Sequence, residues 1–153
     1  MLTPQQYEAI GRFALAFNEI EYYLEAYIAA FLRTPEWAVA SVVAEEGTFS
    51  AKLRRFTRAL SAIDEQHPAL KNATEAAAKF AKEAGKLAEK RNEYIHALVI
   101  KDLGPKQQSN LRVRRTIKPF NDAEVAALTA QAQELADKLN DASAGVLVML
   151  DQP

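Results

Sequence analysis

The chain has 153 residues, a formal net charge of −1 and no cysteine. Its length suits one domain that buries about 68–70% of its unfolded surface without a staple, and the missing cysteines exclude a thiolate metal site, a disulfide framework and a cysteine nucleophile. The balanced charge argues against a nucleic-acid coat over the whole sequence.

The opening MLTPQQYEAIG lacks the basic start and apolar run of a signal peptide, and no apolar stretch approaches the ~20 residues of a membrane span. A single domain over residues 1–153 is expected, in a reducing cytoplasm and away from membranes. Thr3-Pro4, with Gln6 three residues after the threonine, supplies a capping hydroxyl, a proline at the first helical position and a returning side chain. The first helix is predicted from about Pro4 to Arg33, with Ile10, Ala14, Phe17, Glu21, Leu24, Ile28 and Phe31 as its inner stripe. Glu21 lands a carboxylate among hydrophobes.

Thr34-Pro35 repeats the start signal and predicts a shorter helix with Trp37, Ala40 and Val43, ended by Gly47. Phe49, Leu53, Phe56, Leu60 and Ile63 then step by four and three, which predicts a third helix over about Phe49 to Asp64. Its other face is expected to carry Lys52, Arg54, Arg55 and Arg58. After His67-Pro68 a fourth helix should reach about Leu98, its stripe running Ala73, Ala77, Phe80, Ala84, Leu87, Arg91, Tyr94 or Ile95, and Leu98. So much alanine permits close approach of a neighbouring helix.

From Val99 to Pro119 the rhythm breaks. Gly104-Pro105 is a turn signal, and Leu111-Arg112-Val113-Arg114 alternates like a strand, so a loop or short β-hairpin is expected. Lys101, Lys106, Arg112, Arg114, Arg115 and Lys118 stand there against Asp102 alone, a local excess of five positive charges. Phosphates dominate nucleic-acid affinity, which makes Lys101, Arg112, Arg114 and Arg115 candidate RNA contacts; the alternative is ordinary solvated surface charge. Asn121 with Glu124 predicts a reciprocal cap, Phe120 stands where a hydrophobic staple would reach Val125, and the last helix follows with Val125, Leu128, Ala132, Leu135, Leu139, Ala142, Val146 and Met149. The expected fold is all-α, an up-down bundle of four to five helices with a short basic loop or β-hairpin before the last one.

Arg91 carries the chemistry in this pattern. It occupies a stripe position, so a guanidinium that cannot lose its charge is directed toward the apolar side, where an unpaired ion costs several kcal/mol. Glu21 breaks the stripe of the first helix with the opposite charge, and the economical expectation is that the two meet, either as a core pair that holds helix register or as part of a site. His96 follows five residues after Arg91, about 140° around the axis and about 7.5 Å along it, whereas Asn92 and His96 share a face. A site using all three must lie at the helix end or combine two copies of the helix. Taken alone, His96 reads as a capping group favoured by the helix dipole. Neither histidine belongs to a metal-ligand pattern, so no metal is expected; the scattered glycines form no phosphate loop, and no cofactor is expected. Trp37 and the tyrosines of the first helix read as core or interface packing.

Arg91-Asn92, three residues and then His96 resembles the R-x4-6-H signature of the HEPN superfamily, in its R-N-x-x-x-H form, late on a long helix of an all-α bundle. The stretch Phe17-Asn18-Glu19-Ile20-Glu21-Tyr22-Tyr23-Leu24 also looks like the opening helix of that family, where an inward glutamate is frequent. The resemblance implies a metal-independent endoribonuclease of the toxin or phage-defence type, a homodimer with its two motifs facing one cleft, and a partner such as an antitoxin protein. Arg91 and His96 would be central, Asn92 would assist and Glu21 would hold Arg91. Where many such toxins carry a tyrosine two residues after the histidine, this chain has Leu98, which puts regulation by tyrosine modification there in doubt. The alternatives are a non-catalytic HEPN-like module that binds a nucleotide or RNA or specifies a dimer, and a purely structural bundle.

Overall fold

A computed structural model describes residues 3–102 and 120–152, with side chains described up to Ile95 in the first stretch. Five α-helices make up these residues: α1 (Pro4–Phe31), α2 (Trp37–Glu45), α3 (Phe49–Gln66), α4 (Lys71–Asp102) and α5 (Asp122–Leu150), with a 3-10 turn at Pro68–Leu70 leading into α4. The fold is the all-α bundle expected from the periodicity. Residues 103–119, and with them the basic loop or β-hairpin and Arg112, Arg114 and Arg115, lie outside the described residues.

The capping residues at three helix starts do what their chemistry predicts. Thr3 Oγ1 accepts from the Gln6 backbone N–H at 3.2 Å, and Gln6 Oε1 accepts from the Thr3 N–H at 3.1 Å, so both halves of the capping box are made. Thr48 caps α3 through the Ala51 N–H, and Asn121 caps α5 through the Glu124 N–H at 3.1 Å. Thr34-Pro35 behaves differently from its pattern. The helix starts two residues after the proline, behind Glu36, whose side chain makes no cap bond. α2 rests its small residues Ala40 and Ala44 inward, and Trp37 and Val43, predicted to pack, are exposed.

Contacts along the helices fix their directions. Phe17 meets Phe49 and Phe31 meets Phe56, so α1 and α3 run in the same sense. Tyr27 donates to Asn140 Oδ1 at 2.7 Å and Arg33 Nη2 reaches Asp151 at 2.8 Å, so α5 runs alongside α1 in that sense too. α2 carries the chain back from the Phe31 level, and α4 descends to bring Arg91 to the level of Phe17. The five helices therefore alternate up and down along the chain.

Between them lies one apolar core. Phe13, Phe17, Ile20, Leu24 and Ile28 from α1 face Phe56 and Leu60 from α3 and Val125, Leu139 and Val146 from α5. α4 contributes Ala77, Ala81, Ala84 and Leu87, mostly too small to hold the neighbouring helix away. A Cβ placed on Gly85 would lie 3.1 Å from Leu53 Cδ2, tighter than ordinary van der Waals contact. Ser143, inside the α5 stripe, is fully buried and its Oγ has no hydrogen-bond partner among the described residues. An unsatisfied buried hydroxyl lowers stability. Ser143→Ala is therefore expected to raise the free energy of unfolding by about 1 kcal/mol, read as a higher urea midpoint; a loss of similar size would show that the hydroxyl is partnered.

Candidate functional site

Phe17 is the floor of the site. Its ring is fully buried, Phe49 packs on it with ring centroids 4.8 Å apart, and the Arg91 Cζ lies 5.1 Å from its centroid. Arg91 is half-buried and directed inward as its stripe position predicts, and it forms a cation–π contact. Its Nε is buried without a hydrogen-bond partner, and no carboxylate among the described residues lies within ion-pair distance of the guanidinium.

Glu21 does not hold Arg91. Its Oε1 accepts from Lys52 Nζ at 2.7 Å, and Glu25 binds the same ammonium. Lys52, expected on the wet face of α3, is 7% exposed. The reason is positional: Lys52 sits three residues after Phe49 and four before Phe56, on the same helical face, and Glu25 sits one turn after Glu21. That spacing is legible in the sequence, although the chemistry of a lysine, which favours water, points the other way. Burial works against the Lys52 ammonium, but the hydrogen bonds and charges of Glu21 and Glu25 overcome it and hold its pKa above the ordinary lysine value.

The three arginines of that basic group also divide. Arg55 donates from Nη1 to the carbonyls of Val43 at 2.7 Å and Glu46 at 3.0 Å, closing the C-terminal end of α2, while Arg54 and Arg58 are exposed. Asn92 is exposed one position beyond Arg91. The side chains of His96 and Lys101 lie outside the described residues. α4 remains helical through Asp102, six residues past His96, so the motif is not at the helix end as its sequence suggested. Positions 91 and 96 of one chain therefore stay about 140° apart around an unbroken axis.

Tyr94, inside the motif, ties α4 to the start of α5. Its hydroxyl is hydrogen-bonded to Glu124 and its ring stands edge-on to Phe120 at 5.9 Å. Burial, then the hydrogen bond and charge of Glu124, then the charge of Glu93 push the phenol well above its ordinary range. The Asn121–Glu124 spacing predicts a reciprocal cap, and the Glu124 side chain serves Tyr94 instead.

Among the described residues no group of three or more His, Asp or Glu side chains could hold a metal ion, and no helix is long and apolar enough to cross a membrane. Compared with protein-family models, curated proteins and solved structures, the chain finds no significant match.

Removing Lys52 leaves two carboxylates facing each other at a half-buried position. Lys52→Ala should destabilise the fold by about 3 kcal/mol, measured by chemical denaturation; a change below about 0.5 kcal/mol would make the cluster an exposed pair in effect. Lys52 and Tyr94 both have folded-state pKa values raised above their unfolded ones. Their contributions are complete below the unfolded values and are lost as pH rises through the folded ones. Stability should therefore fall on the alkaline side, above about pH 10, and the fall should shrink in Tyr94→Phe.

Proposed function

We propose that this chain is a metal-independent endoribonuclease of the HEPN type, working as a homodimer in which Arg91 and His96 of two copies face one cleft. The observation that carries this reading is the inward guanidinium of Arg91, which lies over Phe17 with a buried, unpartnered Nε and no carboxylate among the described residues within ion-pair distance. A permanently charged group kept in that state is matched by an anionic ligand that brings two or more oxygens, as a phosphodiester does. The R-N-x-x-x-H pattern supplies the rest of the argument.

Internal cleavage of RNA needs little more than these groups. A base takes the proton of the ribose 2′-OH, the 2′-oxygen attacks phosphorus, the bond to the 5′-oxygen breaks, and an acid protonates the leaving oxygen. One chain has one histidine in the motif. Two His96 imidazoles across a dimer divide the acid and base roles, Arg91 stabilises the negative charge that grows on the phosphorane, and Asn92 orients an imidazole or the substrate. The 140° between positions 91 and 96 on one unbroken helix favours an arrangement that uses two copies. Glu21 leaves the catalytic set, because it serves Lys52. Lys101, Arg112, Arg114 and Arg115 extend the phosphate contacts along the RNA, and a silencing protein partner of the antitoxin kind would act on this cleft from outside.

Incubation with single-stranded RNA in EDTA tests the proposal. Wild type should cut RNA and leave a 2′-deoxy substrate untouched, and His96→Ala should abolish cutting. Arg91→Leu should lower the rate by about 10²–10³ with its melting temperature unchanged or raised, because no carboxylate among the described residues loses its partner. Equal activity of wild type and His96→Ala removes the histidine from the mechanism, and binding without products selects the non-catalytic RNA- or nucleotide-binding module.

A further inference from the structure

The face of α2 that looks away from the bundle is the least explained surface of the protein. Val39 is 52% exposed, Val42 69% and Val43 39%, on a helix of nine residues that buries only Ala40 and Ala44; Trp37, 59% exposed, begins the helix on the side of the alanines. Val39, Val42 and Val43 follow the i, i+3, i+4 spacing of a helix stripe, but the stripe is outside. Single exposed hydrophobes are ordinary; a cluster on one short element marks an interaction surface. β-branched residues also give α2 no gain in helix propensity that would account for them.

The charges that α2 and its flanking turns carry are all of one sign. From Thr34 to Thr48 the chain carries Glu36, Glu45 and Glu46 and neither lysine nor arginine, and all three glutamates are exposed. Arg55 of α3 brings one positive charge to the carbonyls at the end of α2, which leaves the three glutamates in excess. We propose that α2 is a docking face for a cationic amphipathic helix of a partner protein, whose apolar residues cover Val39, Val42 and Val43 while its lysines or arginines meet Glu36, Glu45 and Glu46. The same charges disfavour the other occupants. Two copies of α2 packed antiparallel would set Glu36 of each against Glu45 and Glu46 of the other, and an anionic membrane surface would be repelled. This inference stands apart from the RNA reading, since it uses none of the same residues.

Trp37 is the only tryptophan in the chain and stands at the first residue of α2, so its fluorescence reports on binding to this helix. The probe is a synthetic helical peptide with leucines at i, i+3, i+4 and i+7 flanked by lysines, compared with the same peptide carrying glutamates. With the full chain at 0.1 M NaCl the lysine peptide should shift Trp37 emission to the blue and bind at least tenfold more tightly than the glutamate peptide. Glu45→Lys/Glu46→Lys should invert that preference, and Val42→Ser, at an exposed position that leaves the fold intact, should weaken both. Equal binding of the two peptides, no binding, or a preference unmoved by the charge reversal overturns the proposal. A blue shift that grows with protein concentration in the absence of peptide assigns the face to a second copy, and a shift on anionic phosphatidylserine vesicles assigns it to a membrane; either overturns it.

Discussion

A guanidinium lying on a fully buried phenylalanine ring is the constraint that orders the rest of this molecule. A cation–π contact returns about 0.5–2 kcal/mol, less than the several kcal/mol needed to take an arginine out of water. The balance forbids complete burial, and Arg91 is accordingly left half-buried beside a closed floor. Phe17 therefore serves two neighbours at once, supporting the N-terminal residue of α3 through Phe49 and the charged turn of α4 through Arg91.

The second inward charge on α1 follows the opposite logic. Lys52 is enclosed because two carboxylates enclose it, and the three groups together join α1 to α3 with a net charge of one negative unit. Such a cluster holds register more than it adds stability, since each ion must first lose water. One cation in this core has two carboxylate partners and the other has none among the described residues, and that contrast gives Arg91 its meaning.

Helix starts and stripes were legible because they depend on neighbours three and four residues away. Thr3 with Gln6, Thr48 and Asn121 cap as their side chains dictate, and the alternating steps of α3 and α5 became buried faces. The failures are tertiary. Glu21 could be recognised as inward, but not the cation it would meet, because that depends on how α3 lies against α1. Thr34-Pro35 had the right residues for a start, yet the chain stays non-helical until Trp37. The end of α4 was placed too early, since the change of residue pattern after Leu98 does not stop the backbone helix, which runs on to Asp102. Of the candidate site, the inward turn of Arg91 was readable from one helix alone; its partner Phe17 was not.

Gly85 shows how far from the motif that geometry is decided. With Leu53 Cδ2 only 3.1 Å from where a Cβ would stand, this position sets how near α4 can lie to α3. Six residues further on, the same helix brings Arg91 over Phe17, so the rod that carries the charge is seated on its neighbour at a position with no side chain at all. A methyl group added at Gly85 would have to be absorbed by the Leu53 side chain or by a wider spacing of the two helices.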